Sequence, residues 1–115
     1  PTTFITGAQG NKTLVIYSLG NFLSAQDEPP QMLGEMARWA IEFDRASKQV
    51  EFKDVEIWPT VTQIYPGYSG FSVYLLKDYT DELAAAHMLY RQGLSRQYLI
   101  DLAVDVFGSG FPLRY

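Results

Sequence analysis

Two runs in the middle of the chain constrain its fold more than anything else in it. In 36–43, Trp39, Ile41 and Phe43 alternate with Arg38, Glu42 and the following Asp44. In 49–58, Val50, Phe52, Val55, Ile57 and Trp58 are interleaved with Glu51, Lys53 and Glu56. A period of two puts the apolar set on one side of a pleated strand. Met36 to Ala40 has helical propensity on its own, but the alternation of the second run decides for strands. The link Asp44-Arg45-Ala46-Ser47-Lys48 is polar and of turn length, so the two runs read as a β-hairpin. The spacing of Phe52 and Val55 breaks strict alternation and predicts a bulge at Lys53-Asp54.

Pro59 then interrupts, a further strand is expected over 60–65, and Pro66-Gly67 signals a turn. Tyr68-Ser69-Gly70 lacks the G-x-S-x-G spacing of a nucleophile elbow and reads as part of that turn. The last strand is expected over 71–76. Near the start, Thr13-Leu14-Val15-Ile16-Tyr17 is almost continuously apolar, which predicts a strand over 13–17 covered on both faces. Gly7 to Lys12 reads as a hairpin turn before it, with Phe4 and Ile5 ending an earlier strand.

Beyond residue 76 the texture becomes helical. Thr80 or Asp78 offers an N-cap, and Asp81 and Glu82 suit the positive end of the helix dipole. A helix is expected over 80–91, with Leu83, Ala86, His87 and Tyr90 on one face and Gly93 as its stop. Ser95 caps a second helix over 95–107, with Tyr98, Leu99, Leu102, Ala103 and Val106 facing inward, and Gly108-Ser109-Gly110 ends it. The fold class is therefore α+β: an antiparallel β-rich unit followed by a C-terminal helical hairpin. The texture divides the chain into a β part, 1–65, and a C-terminal extension, 66–115.

Composition narrows the chemistry. Nine Lys and Arg against thirteen Asp and Glu give a net charge of −4, and the cations do not cluster, so nucleic acid is not an expected partner. With no cysteine, disulfides and thiolate chemistry are excluded. One histidine, His87, cannot build a His-rich metal site. No phosphate-binding loop and no calcium loop occurs, so no catalytic residue and no metal ligand is assigned. His87 reads as a helix-surface or half-buried side chain, and Asp27-Glu28 as a solvated loop. Trp39, Phe43, Phe52, Trp58, Tyr65, Tyr68, Phe71 and Tyr74 read chiefly as core, with Tyr65, Tyr68 and Tyr74 the most exposed of them.

The string Leu14-Val15-Ile16-Tyr17-Ser18-Leu19-Gly20-Asn21-Phe22 is more specific than composition. It resembles the late Y-S-L-G-N-F motif of the bacterial capsule-synthesis CapA family, the PGA_cap or PgsA-type proteins of poly-γ-glutamate synthesis. The turn and strand before it, and the hairpin ending at Trp58-Pro59 after it, fit the same pattern. The resemblance implies a calcineurin-like metallophosphatase-related parent at the extracellular face of the cell membrane, anchored there, with a divalent metal pair. It implies that the metal ligands, including a final G-H-x-H, precede Pro1. This chain would then be the C-terminal, non-catalytic portion, packing against the rest of its parent, which has capsule-synthesis membrane partners. Ser18, Gly20 and Asn21 carry over only as members of the motif, with Gly20 and Asn21 expected near the edge of the parent site. No cofactor is expected in this portion. The alternative is a free-standing module that binds glycan, acidic polymer or a partner protein on aromatic loops. A homodimer through 13–17 is a further expectation, because severed sheets re-pair between copies.

Overall fold

The computed structural model describes residues 2–16, 18–108 and 110–115. Its organising element is the long hairpin of β3 (Leu33–Asp44) and β4 (Gln49–Ile64). The turn between them has an Asx-type bond, Ala46 N–H donating to Asp44 Oδ1 at 2.9 Å. Lys48 takes the left-handed backbone that lets β4 begin in register, Asp44 opposite Gln49. The bulge falls at the predicted place. Arg38 pairs with Glu56 but Ala40 pairs with Lys53, so β4 carries one extra residue, and Asp54 has φ 54°.

Where two strands were expected over 49–58 and 60–65, β4 is one strand of 16 residues running through Pro59. Proline survives in a central strand only where no ladder bond needs its missing N–H. Pro59 faces Glu35, whose own N–H points outward to Leu19 O at 2.7 Å, so this pair exchanges no bonds. The nitrogen of Pro59 thus points to the other flank of β4. There β5 (Phe71–Leu75) pairs no further than Thr60. The flank continues with the C-terminal tail, where Ile57 N–H donates to Pro112 O and Arg114 N–H to Ile57 O. Pro59 sits in the gap between β5 and this tail.

One face of the β3-β4-β5 sheet carries Leu33, Ile57 and Val61, and the helices cover it. Helix α1 (Asp81–Ala86) and helix α2 (Arg96–Phe107) contribute Ala84, Leu99, Ala103 and Phe107 to the same core. Ser95 caps α2 as expected, its hydroxyl accepting from Tyr98 N–H at 3.0 Å. In α2 the buried positions are Leu99, Ala103 and Phe107; Val106, expected to face inward, is exposed, and Arg96 is half-buried with Nε donating to Tyr79 O.

The helix expected over 80–91 stops at Ala86. His87 leaves it with an extended backbone, because its ring and the next amide bond to the free flank of β4 beyond Leu33. Met88 N–H donates to Ile64 O, and His87 Nε2 lies 3.0 Å from Thr62 O. The chain then makes a single 3-10 turn, Tyr90–Gln92, closed by Gly93 at φ 97°. Ala86 and Tyr90, expected on the inner face, are exposed.

β1 (Thr2–Thr6) and β2 (Lys12–Ile16) form a separate two-stranded sheet joined through a turn at Gly7 to Asn11. Tyr17, the end of the strand expected over 13–17, lies outside the described residues. That strand was expected to be covered on both faces. Thr13 is exposed and Leu14, Val15 and Ile16 are only half-buried, the sheet meeting the rest of the fold through Phe4, whose ring packs on Phe52 and Phe111.

The aromatics are the largest departure. None of Trp39, Phe43, Phe52, Trp58, Tyr65, Tyr68, Phe71 and Tyr74 is fully buried, and among the described Phe, Tyr and Trp residues Tyr79 and Phe107 are the buried ones. The reason is length. Beyond the bulge, the hairpin runs past the end of the helices and carries its apolar side with it, leaving Ile41 62% and Phe43 55% exposed. The radius of gyration is 17.1 Å, against about 13 Å for a compact chain of this size.

Candidate functional site

The motif segment after β2 lies along the outer edge of β3. Gly20 bridges Gly34, and Leu19 O accepts from Glu35 N–H. Gly20 has φ +70°, and a Cβ on it would lie 3.0 Å from Leu33 O. A Cβ on Gly34 would run into Asn21 O and stand 2.9 Å from Thr60 Oγ1. The two glycines therefore let two backbones cross at close range, and Thr62 Oγ1 donating to Phe22 O at 3.3 Å fastens the crossing. We expect Gly34→Ala to destabilise the protein by about 1–3 kcal/mol, since backbone rather than a flexible side chain must move. A urea denaturation midpoint unchanged from wild type would refute this.

The three motif residues do not converge. Ser18 and Gly20 line a depression of about 270 Å³ whose far wall is Leu102 and Val106 of α2. Ser18 Oγ accepts from Gly20 N–H at 3.2 Å, a local turn bond. Asn21 is half-buried and its Nδ2 donates to the Gln26 side chain. The segment is a set of backbone crossings with small residues and has no charged group among its three motif members.

His87 is buried and committed. Its Nδ1 accepts from Leu89 N–H at 3.0 Å, and its Nε2 carries the proton given to Thr62 O. This pattern needs the neutral ring, and burial holds its pKa below the ordinary 6.5. Both nitrogens are taken, so His87 has no lone pair for an ion. Among the described residues no group of three or more His, Cys, Asp or Glu converges as metal ligands do. These residues do not fit the divalent metal pair that the resemblance implies for the parent, whose ligands it places upstream of Pro1.

Sequence reasoning missed Glu35. It is 6% exposed, and both carboxylate oxygens are buried without a hydrogen-bond partner among the described residues. Burial pushes its carboxyl above the ordinary 4.5. The signal was present: Glu35 falls in phase with Trp39, Ile41 and Phe43, on the apolar side of the alternation. A second buried polar cluster joins β4 to α1. Tyr79 donates its hydroxyl to the Gln63 side chain, whose Nε2 donates to Leu83 O at 2.8 Å.

On the other face of the sheet, Trp58, Met36, Arg38 and Leu75 line a groove of about 500 Å³ that reaches round the rim of β3 to Trp39, which the alternation places on the opposite face. The aromatic loop expected at Tyr65 to Tyr74 is folded in instead. Tyr68 is exposed and stacked on Phe71, but Tyr65 and Tyr74 are half-buried, and the Tyr65 ring lies over Gly70. Comparison with protein-family models, with curated proteins and with solved structures returns no match for this chain.

Proposed function

We propose that this chain is the C-terminal, non-catalytic part of a CapA-like protein of capsule or poly-γ-glutamate synthesis. In this reading it completes a sheet and packs against a metallophosphatase-like part that carries the metal pair and any hydrolytic chemistry. The parent acts at the outer face of the cell membrane with membrane partners of capsule synthesis. The motif Ser18-Leu19-Gly20-Asn21-Phe22 suggests the family. The observation that carries the packing role is apolar surface left bare in two places. Leu19, Phe22 and Leu23 are exposed along the motif, and Ile41, Phe43 and Val50 are exposed on the side of the hairpin that is core elsewhere. A face that begins as core and continues uncovered is the kind of patch that a partner buries. The two-stranded β1–β2 sheet, marginal by itself, is supported by the same partner or by a second copy pairing along β2.

Hydrogen exchange on the full-length protein and on this chain alone tests the reading. The amides of Leu19 to Leu23 and of Ile41 to Phe43 should exchange at least about tenfold more slowly in the full-length protein. Equal rates in both, with no G-H-x-H encoded within about 30 residues upstream of Pro1, would sink it.

A further inference from the structure

The groove on the face of the sheet away from the helices has the make-up of a ligand site. We propose that it binds a small amphiphilic carboxylate, an apolar body ending in an anionic head. Three observations carry this, and none depends on the capsule-synthesis reading.

The first is shape and lining. The volume, about 500 Å³, lies in the range of small-molecule sites, and its walls are Met36, Trp39, Trp58 and Leu75. The second is that the lining is available. Met36 is 47% and Trp39 41% exposed, so this apolar surface is not consumed by the fold. The third is charge. Arg38 lines the groove, and Lys77 holds its ammonium 5.7 Å from the centre of the Trp58 ring. The acid nearest to Trp58, Glu56, is already engaged: it accepts from Arg114 at 2.9 Å and from Trp58 Nε1 at 3.2 Å, which holds its carboxyl below the usual range. Lys77 is shared with the exposed Asp78 at 3.4 Å, and Arg38 stands across from Glu56, which Arg114 already neutralises, so three cations face two acids around this groove and Arg38 is the anchor for an anionic head. Arg38 on β3 and Lys77 after β5 stand on opposite sides of Trp58 on the central strand, and their excess positive charge selects an anion over a cation.

The chain has two tryptophans, and both line this groove, so intrinsic fluorescence reports on it directly. The test is a titration of the whole chain with dodecanoate and with dodecyltrimethylammonium, each below its micelle concentration. Dodecanoate should change the emission saturably, and the cation should not. Arg38→Glu, on an exposed side chain that no core contact needs, should weaken the dodecanoate response at least tenfold. Met36→Asp, also exposed, should abolish it. Thermal melts of both variants matching wild type exclude unfolding as the cause. No saturable change, an equal response to the cationic amphiphile, or a response that Arg38→Glu leaves intact would each overturn the proposal. So would an emission that depends on protein concentration alone, since the groove would then be filled by a second copy.

Discussion

Ile57→Ala should destabilise the protein by about 2–5 kcal/mol, enough to unfold a large part of it at ambient temperature. Ile57 is fully buried and belongs to the core cluster shared by the sheet and the helices. Its backbone also holds the C-terminal tail on both sides, through Pro112 O and Arg114 N–H. Loss of its side chain leaves a cavity under α2 where neighbours on a rigid strand cannot close in. Phe111 and Leu113, which pack on the same cluster, lose their anchor with it. Chemical denaturation followed by far-ultraviolet circular dichroism measures the loss. A change below about 1 kcal/mol would show that the core lies elsewhere.

Glu35→Gln should act in the opposite direction and only over part of the pH scale. The folded-state pKa of Glu35 is raised above the ordinary 4.5, so the folded protein holds this proton more tightly than the unfolded chain does. The stability that this contributes is complete below the unfolded value and is lost as pH rises through the folded one. Gln keeps the shape and cannot ionise. The variant should match wild type near about pH 4 and exceed it by about 1–3 kcal/mol above neutrality, the cost of a buried unpartnered group. His87 works with the reverse sign. Its folded pKa lies below 6.5, so its contribution is present above the unfolded value and lost as pH falls through the folded one. Protonation removes the lone pair that accepts from Leu89 N–H. Wild type therefore shows two limbs in a plot of urea midpoint against pH, and Glu35→Gln retains the acid limb alone. A variant whose alkaline limb persists would move the cause to another group.

The parts of this fold that were legible in the sequence are those dictated by local chemistry. The alternation around Trp39 and Phe52, the polar link after Asp44, the bulge at Asp54 and the cap at Ser95 each follow from a few neighbouring residues. The parts that were not legible depend on long-range partners. Pro59 reads as a break because its tolerance rests on β5 ending at Leu75 and on a tail more than fifty positions away. The stretch after Ala86 reads as helix because Ala-rich sequence favours it, whereas the vacant flank of β4 captures His87 and Met88 instead. The exposed rings deceived for a different reason. Periodicity tells which side a residue faces and says nothing of whether another layer extends far enough to cover it. The same limit hides the groove, whose wall is assembled from β3, β4 and β5. The crossing of two backbones at Gly20 and Gly34 likewise depends on a contact between segments distant in sequence.

The outer half of the long hairpin also bears on solubility. Past Glu35 on one rim and before Ile57 on the other, no described strand pairs with it, so its backbone donors and acceptors are open to templating by other chains. Such a ribbon invites stacking into fibres. Two features oppose that. The left-handed residue at Asp54 bends the ladder out of the flat geometry that stacking needs, and Lys53 clasped by Glu42 and Glu51 makes its polar side charged. Relieving the kink or neutralising that triad would turn a tolerated extension into a seed for aggregation.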